Sequence, residues 1–447
     1  MKATFAVLNK RGGNTTLNTH SRQHFALLED VTVFFDGRIY SPNSDASGTE
    51  IIAKKLQQAD HAMASEAFLK EVEGDFAFII AEAELMIAGR DPVGVQPLYY
   101  GENQSIAAFA SNRKALWKLG IDEVRSFPPG HVASARRDGF KFKPIKTLTY
   151  SEPKQVTMKE AAKTLQKMLK ESVCRRVSGV KDVAVAFSGG LDSSVVAFLA
   201  KKCQANVHLV HVSLEDQRET EEAKKAADAL NLPLQVHLFR EEDVEKVLPK
   251  VVELIEEPDP VKASIGVPFF WAAEKTAASG FKVLLAGQGA DELFGGYRRY
   301  VNEYLLHGEE KVRKAMFDDV VGIHESNLER DMKICGFHDV ELRVPFGSYQ
   351  IAEFAMALPV EMKIEKRADT LRKLVLRKAA ENMGLPASIT AKPKKAVQYT
   401  TGINTALKKI AKKQKTTVTE YVNKLFLSQM IGRERNRTDA PSTCPND

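Results

Sequence analysis

The stretch Ser188-Gly189-Gly190-Leu191-Asp192-Ser193-Ser194 is the most informative part of the sequence. It follows an apolar run at residues 183–187, typical of a strand buried on both faces, and precedes the apolar start of a helix at Val195. A glycine turn between a strand and a helix lets the backbone N–H groups of the helix N-terminus approach an anion closely. The sequence therefore predicts a phosphate-binding loop.

Asp192 is unusual in such a loop, because its carboxylate repels phosphate unless a cation lies between them. Mg²⁺ prefers carboxylate and phosphate oxygens as ligands, so this position implies Mg²⁺. The loop lacks the GK[ST] ending of a P-loop kinase or GTPase. The alternative is a plain tight turn rich in small residues, which we consider a minority interpretation.

A second glycine-rich loop, Gly287-Gln288-Gly289-Ala290-Asp291-Glu292, follows another apolar run at residues 283–286. Ligands of open α/β sheets bind at the carboxyl ends of the strands, so both loops should face one crevice. Asp291 can then supply a second carboxylate to the same cation. Taken alone, the acidic residues could simply stabilise the N-terminus of a helix by their interaction with its dipole.

The pattern of strand-like and helical segments along the chain predicts two folded domains and an extension. Residues 1–150 are rich in short strand-like runs, at 31–35, 76–80, 85–88, 98–100 and 107–110, with a turn at Asp36-Gly37, which favours an antiparallel α+β domain. Over residues 151–402, strands at 183–187, 207–212, 234–238 and 283–286 alternate with helical patterns, which favours a doubly wound α/β sheet. Residues 403–447 are predicted to form a basic helical extension to about Met430 and then a disordered tail.

The composition excludes several classes of protein. The 447 residues carry a formal net charge of +6, with 44% hydrophobic and 27% charged residues, as in ordinary globular proteins. No apolar run is long enough to span a membrane. Four widely separated cysteines without a CxxC pair argue against a disulfide scaffold and against a cysteine-based zinc site, so we expect a reducing cytoplasm.

Together these motifs resemble the asparagine synthetase B family, which hydrolyses glutamine, and its relatives the β-lactam synthetases. SGGLDSS is similar to the PP-loop of the ATP pyrophosphatase superfamily, and further similar segments are spread over residues 31–402, at 35–40, 73–78, 89–100, 127–130, 327–331, 341–346, 354–359, 373–378 and 392–395. The resemblance implies an N-terminal Ntn-hydrolase-like (class II amidotransferase-like) domain. It also implies a C-terminal PP-loop ATP pyrophosphatase domain of the adenine nucleotide alpha hydrolase-like fold.

The resemblance also implies a two-step reaction with ATP and Mg²⁺ as cofactors. A carboxylate, aspartate in the synthetases, attacks the α-phosphate to give an acyl-adenylate, and an amine then displaces AMP. By resemblance, Asp192 and Asp291 hold Mg²⁺, and Lys394 stabilises the adenylation transition state, although it could be a solvated lysine of a basic run. The remaining implied contacts are to phosphates (Ser188, Gly189, Gly190, Leu191, Ser193), to the nucleoside (Val212, Gly287) and to the substrate (Asp331, Arg343, Lys373).

This chain departs from the family pattern at both sites. Lys2 stands where family members have a catalytic cysteine. Asp36-Gly37 replaces their Asn-Gly oxyanion pair and lies closer to the start of the sequence than that pair does in the family. The resemblance therefore implies a truncated, degenerate amidotransferase domain without glutaminase activity. In the synthetase site, Gln288 replaces the family glutamate, and β-lactam synthetases carry tyrosine there. An amide can form hydrogen bonds but cannot act as a base, so the identity of the amine stays open.

The leading hypothesis is an ATP-dependent amidoligase, an AMP-forming carbon–nitrogen ligase, that joins ammonia to aspartate. Alternatives are a β-lactam-synthetase-like or other carboxylate–amine ligase, a PP-loop enzyme that adenylates tRNA through its basic extension, and a non-catalytic partner. Expected partners are a small carboxylate and ammonia or an amine, without a membrane. A separate ammonia-supplying subunit and a homodimer stay open.

Overall fold

The computed structural model describes residues 4–18, 25–28, 31–41, 46–367, 371–392 and 401–438. Its strands are β1 (Phe5–Asn9), β2 (Thr15–Asn18), β3 (Phe25–Leu28), β4 (Val31–Ser41), β5 (Glu73–Ala81), β6 (Met86–Arg90), β7 (Tyr99–Glu102), β8 (Ile106–Ala110), β9 (Arg125–Ser126), β10 (His131–Arg136), β11 (Gly139–Pro144), β12 (Asp182–Ala186), β13 (Asn206–Leu214), β14 (Leu234–Phe239), β15 (Val283–Leu285) and β16 (Glu341–Arg343).

The α-helices of the same residues are α1 (Gly48–Leu56), α2 (His61–Glu71), α3 (Arg113–Lys118), α4 (Met158–Val177), α5 (Leu191–Lys202), α6 (Arg218–Leu230), α7 (Glu241–Ile255), α8 (Pro260–Ala278), α9 (Ala290–Phe294), α10 (Arg298–Val321), α11 (Glu329–Phe337), α12 (Tyr349–Met356), α13 (Leu374–Met383), α14 (Ala387–Thr390), α15 (Ile403–Lys413) and α16 (Val418–Thr438). A π-helical turn at His324–Leu328 runs into α11. The predicted capping box of Thr157 and Glu160 starts α4.

The N-terminal part consists of two antiparallel sheets, in the orders β2-β1-β8-β7-β9 and β11-β10-β6-β5-β4-β3. Alternation along β4 explains the layering: Phe34 packs between the two sheets, whereas Phe35 packs beneath α1 and α2 on the outer face. The predicted antiparallel α+β architecture is confirmed.

The predicted turn at Asp36-Gly37 is wrong. β4 continues through both residues to Ser41 and pairs with β5, with Asp36 opposite Ala77 and Gly37 opposite Phe76. Gly37 has φ +109°, and a Cβ there would lie 2.0 Å from the carbonyl oxygen of Asp75. The glycine therefore permits a close approach of two strands within a sheet.

The C-terminal part is built on one parallel sheet in the order β14-β13-β12-β15-β16. Helices α4, α5 and α13 cover one face, and α7, α8 and α11 cover the other, which confirms the doubly wound sheet. β16 was not predicted from the sequence. β12 and β15 pair directly, with Val185 opposite Leu285, so the loops that follow them start side by side.

The C-terminal helices differ from the predicted extension. Ile403, Leu407, Ile410 and Val422 of α15 and α16 are buried in the core that contains α7 and α8. α16 also continues to Thr438, beyond the expected end near Met430. These helices are thus integrated into the fold, and the last part of the predicted tail, residues 439–447, lies outside the described residues.

Cys174 and Cys203 form a disulfide, a bond that our sequence analysis did not predict. α4 packs against α5, which brings the two Cα atoms to 5.2 Å although 29 residues separate them along the chain. Sequence spacing alone does not report such a contact between helices. Within the described ranges, no helix is both long and apolar enough to cross a membrane.

Buried ion pairs join the N-terminal sheets to the C-terminal part. Glu329, the first residue of α11, accepts hydrogen bonds from Arg90 at 3.2 Å, from Tyr99 at 2.6 Å and from Ser126. Glu256, after α7, accepts the backbone N–H of Arg113 at 2.9 Å at the start of α3. The two parts therefore share one continuous interior.

Candidate active site

The first glycine loop connects β12 to α5 as the sequence predicts. Gly189 has φ +68°, and a Cβ there would lie 2.7 Å from the Cα of Ala223 in α6, so only glycine fits. The N-cap of α5 is Gly190, which has no side chain to occupy the free N–H groups of the first turn. The loop thus presents an uncapped helix N-terminus to an anion.

The hydroxyl groups of the loop hold it in shape. Ser188 Oγ accepts the backbone N–H of Gly190 at 3.3 Å, and Ser193 Oγ donates to the carbonyl of Gly190 at 3.3 Å. Leu191 is buried and anchors the start of α5 in the core. Val212 lies near the carboxyl end of the neighbouring strand β13.

Asp192 and Asp291 converge on one cation, the ammonium group of Lys373. Lys373 Nζ lies 2.6 Å from both carboxylate oxygens of Asp192 and 2.6 Å from Asp291 Oδ1. The side chain of Lys373 is only 1% exposed, whereas each aspartate is 17% exposed. The structure therefore brings together both predicted Mg²⁺ ligands and one predicted substrate contact.

Two glycines make this convergence sterically possible. A Cβ at Gly287 would lie 2.8 Å from the Cβ of Asp192, so the two loops touch. A Cβ at Gly296 would lie 1.8 Å from Asp291 Oδ1 and 2.4 Å from Lys373 Cε. Lys373 itself has φ +62°, a left-handed conformation that costs free energy in a lysine and is often found at functional sites.

In the sequence, Gln288 directly follows Gly287 and precedes Gly296, the two glycines at which the contacts occur. The nitrogen of its side-chain amide donates a hydrogen bond to Asp331 Oδ2. Asp331 is fully buried and also accepts from Arg330, at 2.7 Å from Nε and 3.0 Å from Nη2. Asp331, predicted as a substrate contact, is therefore held within a three-residue chain of hydrogen bonds behind Gln288.

Glu292 is a buried acid of the second loop that our sequence analysis did not assign a role. It accepts from Tyr297 and, at 2.7 Å, from Asn327. Burial, and then the neighbouring charge of Asp291, raises the pKa of Glu292. The adjacent acidic residues Asp291 and Glu292 in the sequence could have indicated a role for Glu292. The sequence pattern did not indicate that only Asp291 pairs with Lys373 while Glu292 contacts Asn327.

Arg343, which we also predicted as a substrate contact, is only 1% exposed. Its guanidinium donates to Glu341 at 2.8 and 2.9 Å and to the carbonyl of Arg176, all in the interface with the N-terminal part. Arg176 in turn binds the buried Asp75 at 2.7 Å. The donors of Arg343 that face these partners are thus unavailable to a ligand.

Lys394, the predicted adenylation lysine, lies outside the described residues. The chain just before it is anchored by Arg377, which donates to the carbonyls of Thr390 and, at 2.8 Å, of Lys392. Lys392 Nζ also pairs with Glu222 at 2.7 Å. The segment that leads to Lys394 therefore starts beside α6 and α13.

The residues present fit Mg²⁺ chemistry. Asp192 and Asp291 carry two negative charges, and Lys373 supplies only one positive charge. The site therefore offers carboxylate oxygens and a remaining negative charge, which suit a Mg²⁺ ion bound to phosphate. The helix N-terminus of α5 supplies the phosphate side of that site. The geometry can hold a nucleotide polyphosphate at the carboxyl ends of β12 and β15.

Comparisons with known proteins agree with this geometry. The family model for asparagine synthase matches residues 164–310 and 302–443, and the model for a glutamine amidotransferase domain matches residues 17–118. A putative asparagine synthetase (glutamine-hydrolyzing) 1 of Methanocaldococcus jannaschii is 34% identical over 80% of this chain and 75% of its own length.

A probable asparagine synthetase (glutamine-hydrolyzing) of Dictyostelium discoideum is 27% identical over 75% of this chain and 64% of its own length. Asparagine synthetase (glutamine-hydrolyzing) 3 of Arabidopsis thaliana is 28% identical over 87% of this chain and 67% of its own length. The alignments thus span between 64% and 75% of these three relatives. A solved NMN synthetase of Francisella tularensis is 14% identical over 66% of this chain and all of its own, and its TM-score of 0.30 is too low to support an argument.

The family model for asparagine synthase covers more than half of the sequence, and it includes both glycine loops. The relative from M. jannaschii covers 80% of the chain, so its match extends into the N-terminal part. The chain belongs to the asparagine synthetase family of ATP-dependent ligases.

Proposed function

We propose that this protein adenylates a small carboxylate, aspartate in the first instance, and transfers ammonia to it with release of AMP and pyrophosphate. The observation that carries the proposal is the convergence of Asp192 and Asp291 on one cation beside the uncapped N-terminus of α5. Two acidic groups next to an anion-binding helix end are suited to a cation-bound polyphosphate.

In the first step, a carboxylate oxygen attacks the α-phosphorus of ATP, the bond to the β-phosphate bridging oxygen breaks, and pyrophosphate leaves with the electron pair. The loop from Ser188 to Ser193 would hold the phosphates, and Lys373 would counter the charge of the leaving group. Asp192 and Asp291 would hold Mg²⁺, which supplies charge neutralisation when it is bound. In the second step, ammonia attacks the acyl carbon, AMP leaves, and one proton is lost.

We further propose that the N-terminal domain has no glutaminase activity. By resemblance, Asp36 replaces the asparagine of the family's Asn-Gly oxyanion pair. A carboxylate group accepts hydrogen bonds, whereas an oxyanion needs a donor. This replacement supports direct use of ammonia by the synthetase site.

A substrate screen tests this proposal. The purified protein is incubated with Mg-ATP and single carboxylic acids, with and without ammonium, while AMP, pyrophosphate and the amide are quantified. We expect aspartate to support exchange of labelled pyrophosphate into ATP, and AMP to form in equal amounts with asparagine only when ammonium is present. Glutamine should not replace ammonium. Absence of exchange with every acid would contradict the proposal, and hydrolysis of glutamine would contradict the assignment of the N-terminal domain.

Gly296→Ala provides a matched test of the acidic pair. The new methyl group would collide with Asp291 and Lys373, so we expect at least a tenfold loss of exchange, which corresponds to about 1.4 kcal/mol. Gly336→Ala is the control, because a Cβ at Gly336 meets nothing within 4 Å. Equal exchange rates in the two variants would show that the arrangement around Lys373 is not required.

A further inference from the structure

His211 of β13 lies beside the last residue before the phosphate loop. Its Nδ1 atom is 2.9 Å from the carbonyl oxygen of Phe187, and its Nε2 atom is 3.3 Å from Oγ1 of Thr220 in α6. His211 and Thr220 are both buried. The imidazole ring therefore connects the start of the loop to α6 in the interior of the protein.

The two contacts fix the position of the proton on the His211 ring. A carbonyl oxygen only accepts hydrogen bonds, so Nδ1 must carry a hydrogen and donate it to Phe187. Burial lowers the pKa of His211, which favours the neutral ring. In the neutral ring Nε2 has no hydrogen, so it accepts from the hydroxyl group of Thr220. His211 is thus held in one tautomer and one orientation.

The carbonyl of Phe187 belongs to the first peptide of the phosphate loop. The backbone N–H of Phe187 donates to the carbonyl of Val210 at 2.9 Å and continues the pairing of β12 with β13. The carbonyl of Phe187 and the N–H of Ser188 share one rigid peptide plane. That N–H donates to Oγ of Ser193 at 3.4 Å, in the first turn of α5. The hydrogen bond from His211 therefore fixes the plane from which the loop departs.

Helix α6 confines the same loop from a second side. A Cβ at Gly189 would lie 2.7 Å from the Cα of Ala223, and Thr220 lies one turn before Ala223 in this helix. Because Thr220 also binds His211, the ring ties the helix that packs on Gly189 to the strand beside Phe187. The loop is thus held by the imidazole at its start and by α6 at its glycine.

We propose that His211 is a positioning residue for nucleotide binding, whose Nδ1–H group holds the peptide between Phe187 and Ser188 in the orientation that receives the phosphates of ATP. The inference rests on the proposed function and adds to it a residue that lies behind the loop. A change in the hydrogen bond to Phe187 should therefore alter the affinity for Mg-ATP.

Two substitutions separate the two contacts of the ring. In His211→Asn, the amide nitrogen occupies the place of Nδ1 and can still donate to Phe187. In His211→Gln, the amide reaches the place of Nε2 and leaves the carbonyl of Phe187 without its donor. We expect the Kd of Mg-ATP, measured by titration calorimetry, to rise about twofold in His211→Asn and about tenfold in His211→Gln. Equal Kd values in the two variants would overturn the inference.

The reaction rate at saturating Mg-ATP supplies the readout that distinguishes positioning from a purely structural role. Loss of ground-state binding raises KM with little change in kcat, so aspartate-dependent pyrophosphate exchange at saturating Mg-ATP should stay within about twofold of the wild-type rate in both variants. A fall of this rate in step with the melting temperature would show a purely structural role and overturn the inference.

Thr220→Val decides the question if both His211 variants fail to fold. Valine keeps the size of the side chain but removes the hydroxyl group that orients the ring, and we expect the Kd of Mg-ATP to rise about threefold. An unchanged Kd in this variant would then overturn the inference. Wild-type protein that binds Mg-ATP but supports exchange with no carboxylic acid would instead overturn the proposed function.

Discussion

At the scale of single residues, Lys373 places its ammonium where two close carboxylates require a cation. Without it, the negative charges of Asp192 and Asp291 would repel each other with no positive charge between them. The left-handed backbone of Lys373 at the start of α13 is the conformational cost of this position. The site is thus preorganised by a residue of the protein itself.

Lys363 is a second buried lysine, and it carries a prediction about stability. It is 3% exposed, follows the 3₁₀ turn Val360–Met362, and lines a small cavity with Arg313 and Tyr150. Burial, reinforced by the charge of Arg313, lowers the pKa of Lys363 from 10.5 to about 7. The folded protein therefore holds this group mainly neutral above neutral pH.

The unfolded chain binds the Lys363 proton up to about pH 10.5, whereas the folded protein releases it above about pH 7. The unfolded state binds more protons in this window, so the free energy of unfolding rises with pH across it. Lys363→Met should remove this rise and increase the free energy of unfolding below pH 7 by a few kcal/mol. Denaturant unfolding at several pH values measures the effect. The exposed Lys154→Met is the control, and identical pH profiles of the two variants would contradict the prediction.

At the scale of elements, α11 connects the domain interface to the site. Its first residue, Glu329, lies among Arg90, Tyr99 and Ser126, and Asp331 behind Gln288 is two residues further on. Burial acts to raise the pKa of Glu329, but the charge of Arg90, followed by smaller contributions from Lys333, His324 and Ser126, lowers it to about 2.

Glu329→Gln should destabilise the protein, because it leaves Arg90 buried without its anion. Loss of one partner of a buried ion pair costs about 3–5 kcal/mol. Since the folded pKa of Glu329 is below its usual 4.5, the wild-type stabilisation is present above pH 4.5 and is lost as the pH falls towards 2, and the variant should lack this acid dependence. The matched control is Glu123→Gln, whose carboxylate is 84% exposed and 3.4 Å from Arg125. Equal melting temperatures of both variants would refute the prediction.

At the scale of the whole molecule, the C-terminal helices belong to the synthetase core. The sequence suggested an extension because Lys408, Lys409, Lys412 and Lys413 crowd one stretch. These lysines lie on the exposed side of α15, where Lys409 and Lys413 pair with Glu241 at 3.1 and 3.0 Å, while the apolar residues face α7 and α8. The charges on one side of this amphipathic helix therefore suggested an appended extension.

Deleting residues 403–447 should prevent stable folding, since it exposes the apolar residues of α7 and α8 that α15 and α16 cover. Each fully buried aliphatic side chain that is lost contributes about 1.5–3 kcal/mol, so four of them amount to about 6–12 kcal/mol, comparable to the whole stability of a typical domain. Soluble yield and thermal melting measure this outcome. A chain that ends after Thr438 keeps both helices and serves as the control. A well-folded, active protein ending at Gly402 would show that the helices are dispensable.

The sequence by itself determined four strands of the parallel sheet and the two glycine loops, because these depend on local periodicity, capping and turn chemistry. The strand before Ser188, the capping box at Thr157 and the placement of Asp192 and Asp291 at adjacent strand ends could all be predicted in this way. Contacts between distant residues could not be, because the chain pattern does not record which side chains meet. Only the tertiary structure showed Lys373 between the two aspartates, Arg343 turned into the interface, Cys174 bonded to Cys203, and the Gln288 amide bonded to Asp331.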